Sequence, residues 1–346
     1  MDDEPAQRPD GDPAEGSRGT LSRTFLNGRE RRLRAPWRLL VGLVAFAVLA
    51  AVAGVATTAL LAADAFAGPV LSGLYATGRY LAFTAVLLAG LLGISYVVDR
   101  RHPTDLGLRL DRQWWRDCAF GLALGVALPA VVFLVELAAG WVTVTGLFRT
   151  DPEALLSVGP ATPVPVALAL VVLFFVGVSL FEEVLVRGYL MTNLAEGLDG
   201  WWRLDHRHAV GLAVLATAAV FGVLHATNPS ATALSVTNIS LFGVLLGLGY
   251  GLTDRLAVPV GMHLTWNATV GAGFGFPVSG ITVSVTVVET ATTGPDLYTG
   301  GAFGPEGGLV ALVALVVGLG LLGWWVRREY GGLALDPGVS TPDLRE

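Results

Sequence analysis

Apolar residues fill most of this chain in long, nearly uninterrupted runs, the pattern of helices buried on every side instead of helices with one wet face. Crossing about 30 Å of hydrocarbon takes roughly 20 apolar residues. By that measure the sequence predicts about eight spans, near 37–63, 72–98, 117–146, 163–190, 209–227, 233–252, 256–275 and 308–326. The expected fold is an all-α, polytopic membrane helical bundle. One stretch breaks the rule: residues 276–307 hold no basic residue, and "ITVSVTVVE" within them alternates β-branched positions, which predicts a short strand pair outside the membrane.

Composition agrees with the pattern. Of 346 residues, 53% are hydrophobic and only 14% charged, against about 25% charged in soluble domains. The net charge of −6 is carried largely by acidic termini, "MDDEPAQRPDGDPAEG" and "LDPGVSTPDLRE", which read as solvated tails. Nothing here supports nucleic-acid binding. Cys118 is the only cysteine, which rules out an intrachain disulfide and a thiolate metal cluster. The first apolar run follows "RERRLRAPWR" and exceeds the length of a signal peptide, so it reads as a retained span.

Arginine sets the orientation, because short cytoplasmic loops are enriched in positive charge. Arg29 to Arg38 precede the first span; Arg100, Arg101, Arg109, Arg112 and Arg116 follow the second; Arg203 and Arg207 follow the fourth, Arg255 the sixth, Arg327 and Arg328 the eighth. All fall on one side, with Arg149 the exception. The expectation is a multi-pass protein of the cell membrane with both termini cytoplasmic. Its organisation reads as a disordered cytoplasmic tail (1–35), N-terminal spans with an interfacial connector around Trp114 and Trp115 (36–160), a core (161–275), an extracytoplasmic loop (276–307) and a last span with a cytoplasmic tail (308–346).

Charged residues inside spans are costly, roughly 2.5 to 3.5 kcal/mol each on insertion scales, and so mark function. In "FEEVLVRGYL", Glu183 and Arg187 are four apart with the acid first, the favourable order for a helical ion pair. Glu182 is rotated about 100° away, which frees it to face a cavity. His225 closes "FGVLHATN" four residues after Phe221, and His263 opens "HLTWN" with Asn267 one turn on. His102, His206 and His208 lie in loops and read as solvated; Glu136, alone in the third span, reads as a packing or hydrogen-bonding residue. Gly243 and Gly247 suggest close helix contact, and "GLGLLG" at 318–323 reads as helix-packing glycine, since no strand precedes it.

A carboxylate and two imidazoles can act in two ways. The carboxylate can take a proton from water while His and Asn donors hold the oxyanion formed on the attacked carbonyl. The same atoms can bind a divalent metal with one position open. The residues alone leave both open, and a transporter or proton relay would use the same types. The soluble-protease signatures HExxH and GxSxG are absent from the sequence.

E-E-x-x-x-R, F-x-x-x-H and H-x-x-x-N, in that order and inside hydrophobic segments, resemble the CPBP intramembrane metalloproteases, the CAAX prenyl protease type II or abortive-infection family. The resemblance covers roughly residues 160 to 275. It implies an intramembrane endopeptidase acting on a membrane-associated protein or peptide. Glu182 becomes the catalytic glutamate, Glu183 and Arg187 its supporting pair, His225 the water or metal partner, and His263 with Asn267 the second histidine and the oxyanion-side asparagine. It also implies a divalent metal, zinc, with His225, His263 and Glu182 as its ligands. A serpentine of full-length spans would set His225 near the outer end of span five and His263 near the inner end of span seven, so their meeting requires offset or broken spans.

Overall fold

The computed structural model describes residues 24–27, 30, 32–60, 69–151, 153–157 and 162–345. Most of the expected N-terminal tail, residues 1–23, lies outside them. Helices α1 (Ala35–Leu60), α2 (Pro69–Ile94) and α3 (Arg112–Ala138) come first. Then α4 (Val164–Glu183) runs through a π turn, Val184–Met191, into α5 (Thr192–Leu198). Helices α6 (His206–Leu224), α7 (Ala233–Gly251), α8 (Ala257–Ala268) and α9 (Ala311–Tyr330) complete the bundle. Among the described residues seven helices are long and apolar enough to cross a membrane, the continuous Val164–Leu198 helix being the longest at 35 residues.

The expected span at 256–275 is the one that differs. It is a 12-residue helix, α8, prolonged by a π turn at Thr269–Gly273. Leu256 and Ala257, at its start, are fully buried, and the Leu256 N–H donates to the Gly107 carbonyl. The helix therefore starts against the 100–111 connection and is surrounded by protein instead of lipid, so a shorter helix with a π turn can carry the chain to the 276–307 segment. His225 and His263 do meet, on either side of the Phe221 ring, which lies 4.7 Å from one and 5.9 Å from the other. Small residues fix the position of α8: a Cβ on Gly121 or Gly125 of α3 would meet α8 backbone, and one on Gly261 would meet the Cys118 carbonyl. Gly243 and Gly247 on α7 pack in the same way against Ala218 and Val214 of α6, and Gly318 on α9 against Leu245 and Leu128.

The third span ends earlier than its hydrophobicity implies. α3 stops at Ala138, Gly140 takes φ +71°, and Val142–Thr150 is a strand. That strand pairs antiparallel with Val285–Thr292, with a bulge at Val144/Gly146. The strand expected in 281–289 is present, but its partner comes from 142–150, which the apolar count had assigned partly to a helix. Valine, threonine, leucine and phenylalanine satisfy either structure locally, and only the distant partner decides. Trp114 is buried with its indole N–H on the Gly107 carbonyl, while Trp115 is exposed.

At the arginine-rich end, Glu196 of α5 accepts from Arg32 (2.7 Å), Arg38 (2.6 Å) and Arg101 (2.5 Å), and Arg38 also lies 3.3 Å from Asp99. All three guanidinium groups are buried. Glu196→Ala would take the shared carboxylate from all three while each keeps a second one, Glu30, Asp99 and Asp105 respectively, so the cost is expected to stay below the roughly 3 to 5 kcal/mol of a fully broken buried pair. Thermal unfolding in detergent checks this; an unchanged midpoint would show that the cluster contributes no net stability.

Candidate active site

The polar positions of α4 lie where its α-helical turns give way to the π turn. Glu183 and Arg187, both fully buried, pair at 2.9 Å. Arg187 also donates to the Gly243 carbonyl (3.3 Å) and stacks 4.4 Å over the Phe221 ring. Its charge thus has one carboxylate, one carbonyl dipole and one aromatic face in place of water. Glu183 Oε1 takes a second hydrogen bond, from His263 Nδ1 on α8 at 2.8 Å. One buried carboxylate therefore joins α4 to α8.

Glu182 turns the other way, as the helical rotation requires. Its side chain is 29% exposed and lines a cavity of about 790 Å³, with Oε2 3.9 Å from His263 Nε2. No hydrogen-bond partner for that oxygen is present among the described residues. His263 and Asn267, one turn apart on α8, line the same cavity, as do His225 and Phe221. The Phe221 ring lies 4.7 Å from His225 and 5.9 Å from His263, edge-on to the latter. The two halves of the F-x-x-x-H motif thus serve one place: the phenylalanine is a platform under Arg187 and between the imidazoles.

Hydrogen bonding fixes both tautomers. His225 Nδ1 sits 2.7 Å from the Phe221 carbonyl, which can only accept, so Nδ1 carries the hydrogen and a neutral ring keeps its lone pair on Nε2. The Glu183 carboxylate imposes the same tautomer on His263. Metal-binding histidines are held in this manner, by a carboxylate or carbonyl on the far nitrogen. In donor chemistry, therefore, His225, His263 and Glu182 fit a divalent metal. In their present positions, no three His, Cys, Asp or Glu side chains among the described residues are gathered closely enough to hold one.

The cavity also contains residues that no sequence motif marked. Glu306, buried in the return from the strand at 285–292 to α9, accepts from Trp266 Nε1 (2.6 Å) and from the Ser279 N–H (2.6 Å) and hydroxyl (2.7 Å). The Asn238 side-chain amide holds the same turn through the carbonyls of Glu306 and Gly308. Trp266 precedes Asn267, so Glu306 ties the 276–307 segment directly to the site helix. The remaining wall is apolar and aromatic, including Phe174, Phe175, Phe181 and Phe242. Glu136, by contrast, is buried away from this cavity, and neither carboxyl oxygen has a hydrogen-bond partner among the described residues.

Such a cavity can admit an extended apolar peptide, present a carboxylate to water and offer polar donors to a carbonyl. No curated protein and no solved structure matches this chain. A family model does: type II CAAX prenyl endopeptidase Rce1-like matches residues 164–269, from the first turn of α4 to the end of α8, the stretch that supplies all seven motif residues. Over that region the chain is similar to the type II CAAX prenyl endopeptidases of the Rce1-like family, the group that its motifs resemble.

Proposed function

We propose that this protein is an intramembrane endopeptidase that hydrolyses a peptide bond of a membrane-associated protein or peptide, with Glu182 as the proton-transferring residue. The observation that carries the reading is the division of labour between adjacent carboxylates. Glu183 is buried, bonded to Arg187 and His263, and so committed to structure. Glu182 lines the cavity, and its Oε2, buried 3.9 Å from His263 Nε2, has no hydrogen-bond partner among the described residues.

In the proposed reaction a water held by Glu182 and the imidazoles loses its proton to Glu182 as its oxygen attacks the scissile carbonyl. The developing oxyanion takes a hydrogen bond from the Asn267 side-chain amide. Collapse of the tetrahedral intermediate breaks the C–N bond, and the proton on Glu182 passes to the leaving amine. Glu183 holds His263 in one tautomer and balances the charge of Arg187. A zinc ion held by His225 and His263 through Nε2, with Glu182, would supply Lewis acidity and lower the pKa of its bound water.

The direct test is comparative membrane proteomics of cells carrying the wild type or Glu182→Ala, in which the variant accumulates an uncleaved species. Identical profiles would overturn the reading. The metal has its own test in the purified protein: stoichiometric zinc by elemental analysis, lost on substituting either histidine, with activity removed by chelation and restored by zinc. Fully active, metal-free protein would refute the metal. Asn267→Ala is expected to lower the rate about 10²- to 10³-fold, the usual loss for one oxyanion donor, with little change in KM.

A further inference from the structure

The cavity is asymmetric with respect to the ends of the bundle. Its lining residues that lie outside the site-bearing and flanking helices come from three connections: Leu155 and Leu156 before α4, Asn228 and Pro229 between α6 and α7, and Ser279 to Glu306 between α8 and α9. The connections at the opposite end, around residues 100–111, 199–205 and 252–256, and the chain after α9, contribute nothing to its wall. Leu155 (65% exposed) and Ile281 (37% exposed) form its outer lip. They are held together by the Leu156↔Val283 bridge and by the Leu155 N–H on the Thr282 hydroxyl.

The two ends also differ in charge. Arg100, Arg101, Arg109, Arg203, Arg255, Arg327 and Arg328 lie at the closed end, whereas the three connections at the open end contain Arg149 as their sole basic residue. Arg79 and Arg187 lie inside helices and do not count toward either end. An arginine bias of this kind over short loops places the rich end in the cytoplasm. The closed end also carries the buried cluster of Arg32, Arg38 and Arg101 on Glu196.

We infer that the catalytic cavity opens to the extracytoplasmic side of the membrane, so that its substrates are exported peptides or outward-facing juxtamembrane segments of membrane proteins, and not C-termini of cytoplasmic proteins. The inference rests on the peptidase reading for the word substrate, but the face to which the cavity opens stands on geometry and charge alone. It also gives the 276–307 segment a role: with Glu306 anchored on Trp266, it forms the outer rim past which a peptide reaches Glu182.

Single-cysteine variants in a Cys118→Ala background test this in intact cells. Ile281→Cys, on the lip, and Thr143→Cys, on the exposed strand 142–150, are expected to react with a membrane-impermeant maleimide. Trp202→Cys, 88% exposed at the arginine-rich end, reacts only after permeabilisation. A bulky polyethylene-glycol maleimide on Ile281→Cys should then produce the uncleaved species seen in Glu182→Ala, while the same reagent on Thr143→Cys should not. Reaction of Ile281→Cys only after permeabilisation, or of Trp202→Cys in intact cells, overturns the inference. Labelling of Ile281→Cys from outside with cleavage undiminished overturns the outer lip as the entrance. Absence of any species dependent on Glu182 defeats the peptidase reading instead, and the labelling pattern still decides which side the cavity faces.

Discussion

Glu182→Gln is expected to lower cleavage by about 10²- to 10⁴-fold, the range for loss of a general base, while the protein stays folded. The amide keeps the size of the side chain and its place on the cavity wall, but it cannot take a proton from water. Stability should barely move, since the Glu182 side chain is 29% exposed and its Oε2 makes no hydrogen bond among the described residues. Glu182→Ala should match Glu182→Gln in rate, because both remove the same proton acceptor. Turnover by purified protein, with thermal unfolding as the control, checks both statements. A Gln variant of full activity would sink the assignment, and a Gln variant that unfolds would show Glu182 to be structural.

Local spacing made the site's pairs legible in the sequence. Glu183–Arg187 and His263–Asn267 are each one helical turn apart, and a helix places such pairs on one face whatever surrounds it. The separation of Glu182 from Glu183 follows from the same rotation. What spacing cannot express is the return of a distant segment. Glu306 reaches Trp266 and Ser279 only because the strand at 285–292 pairs with 142–150 and carries the chain back over α8. Nothing in "FGPEGG" announces this. The short α8 was hidden for a related reason: residues 256–275 are apolar enough to face lipid, but here they face protein, and hydropathy does not distinguish the two surroundings.

The largest effect on stability should come from Glu183→Ala. Arg187 is fully buried, and without Glu183 it would keep only the Gly243 carbonyl and the Phe221 ring. An uncompensated buried charge of this kind costs about 3 to 5 kcal/mol. His263 would lose its Nδ1 partner at the same time, so the rate should fall even in protein that remains folded. The double variant Glu183→Leu/Arg187→Met separates the two consequences. Removing both charges together ends the desolvation cost, and apolar replacements of similar volume often restore or exceed the stability of a buried ion pair. The unfolding midpoint should therefore recover from that of Glu183→Ala toward the wild type. Activity should not recover, because no carboxylate remains to set the His263 tautomer beside Glu182. A double variant no more stable than Glu183→Ala would refute the ion-pair account, and one that regains activity would remove Glu183 from the positioning of His263.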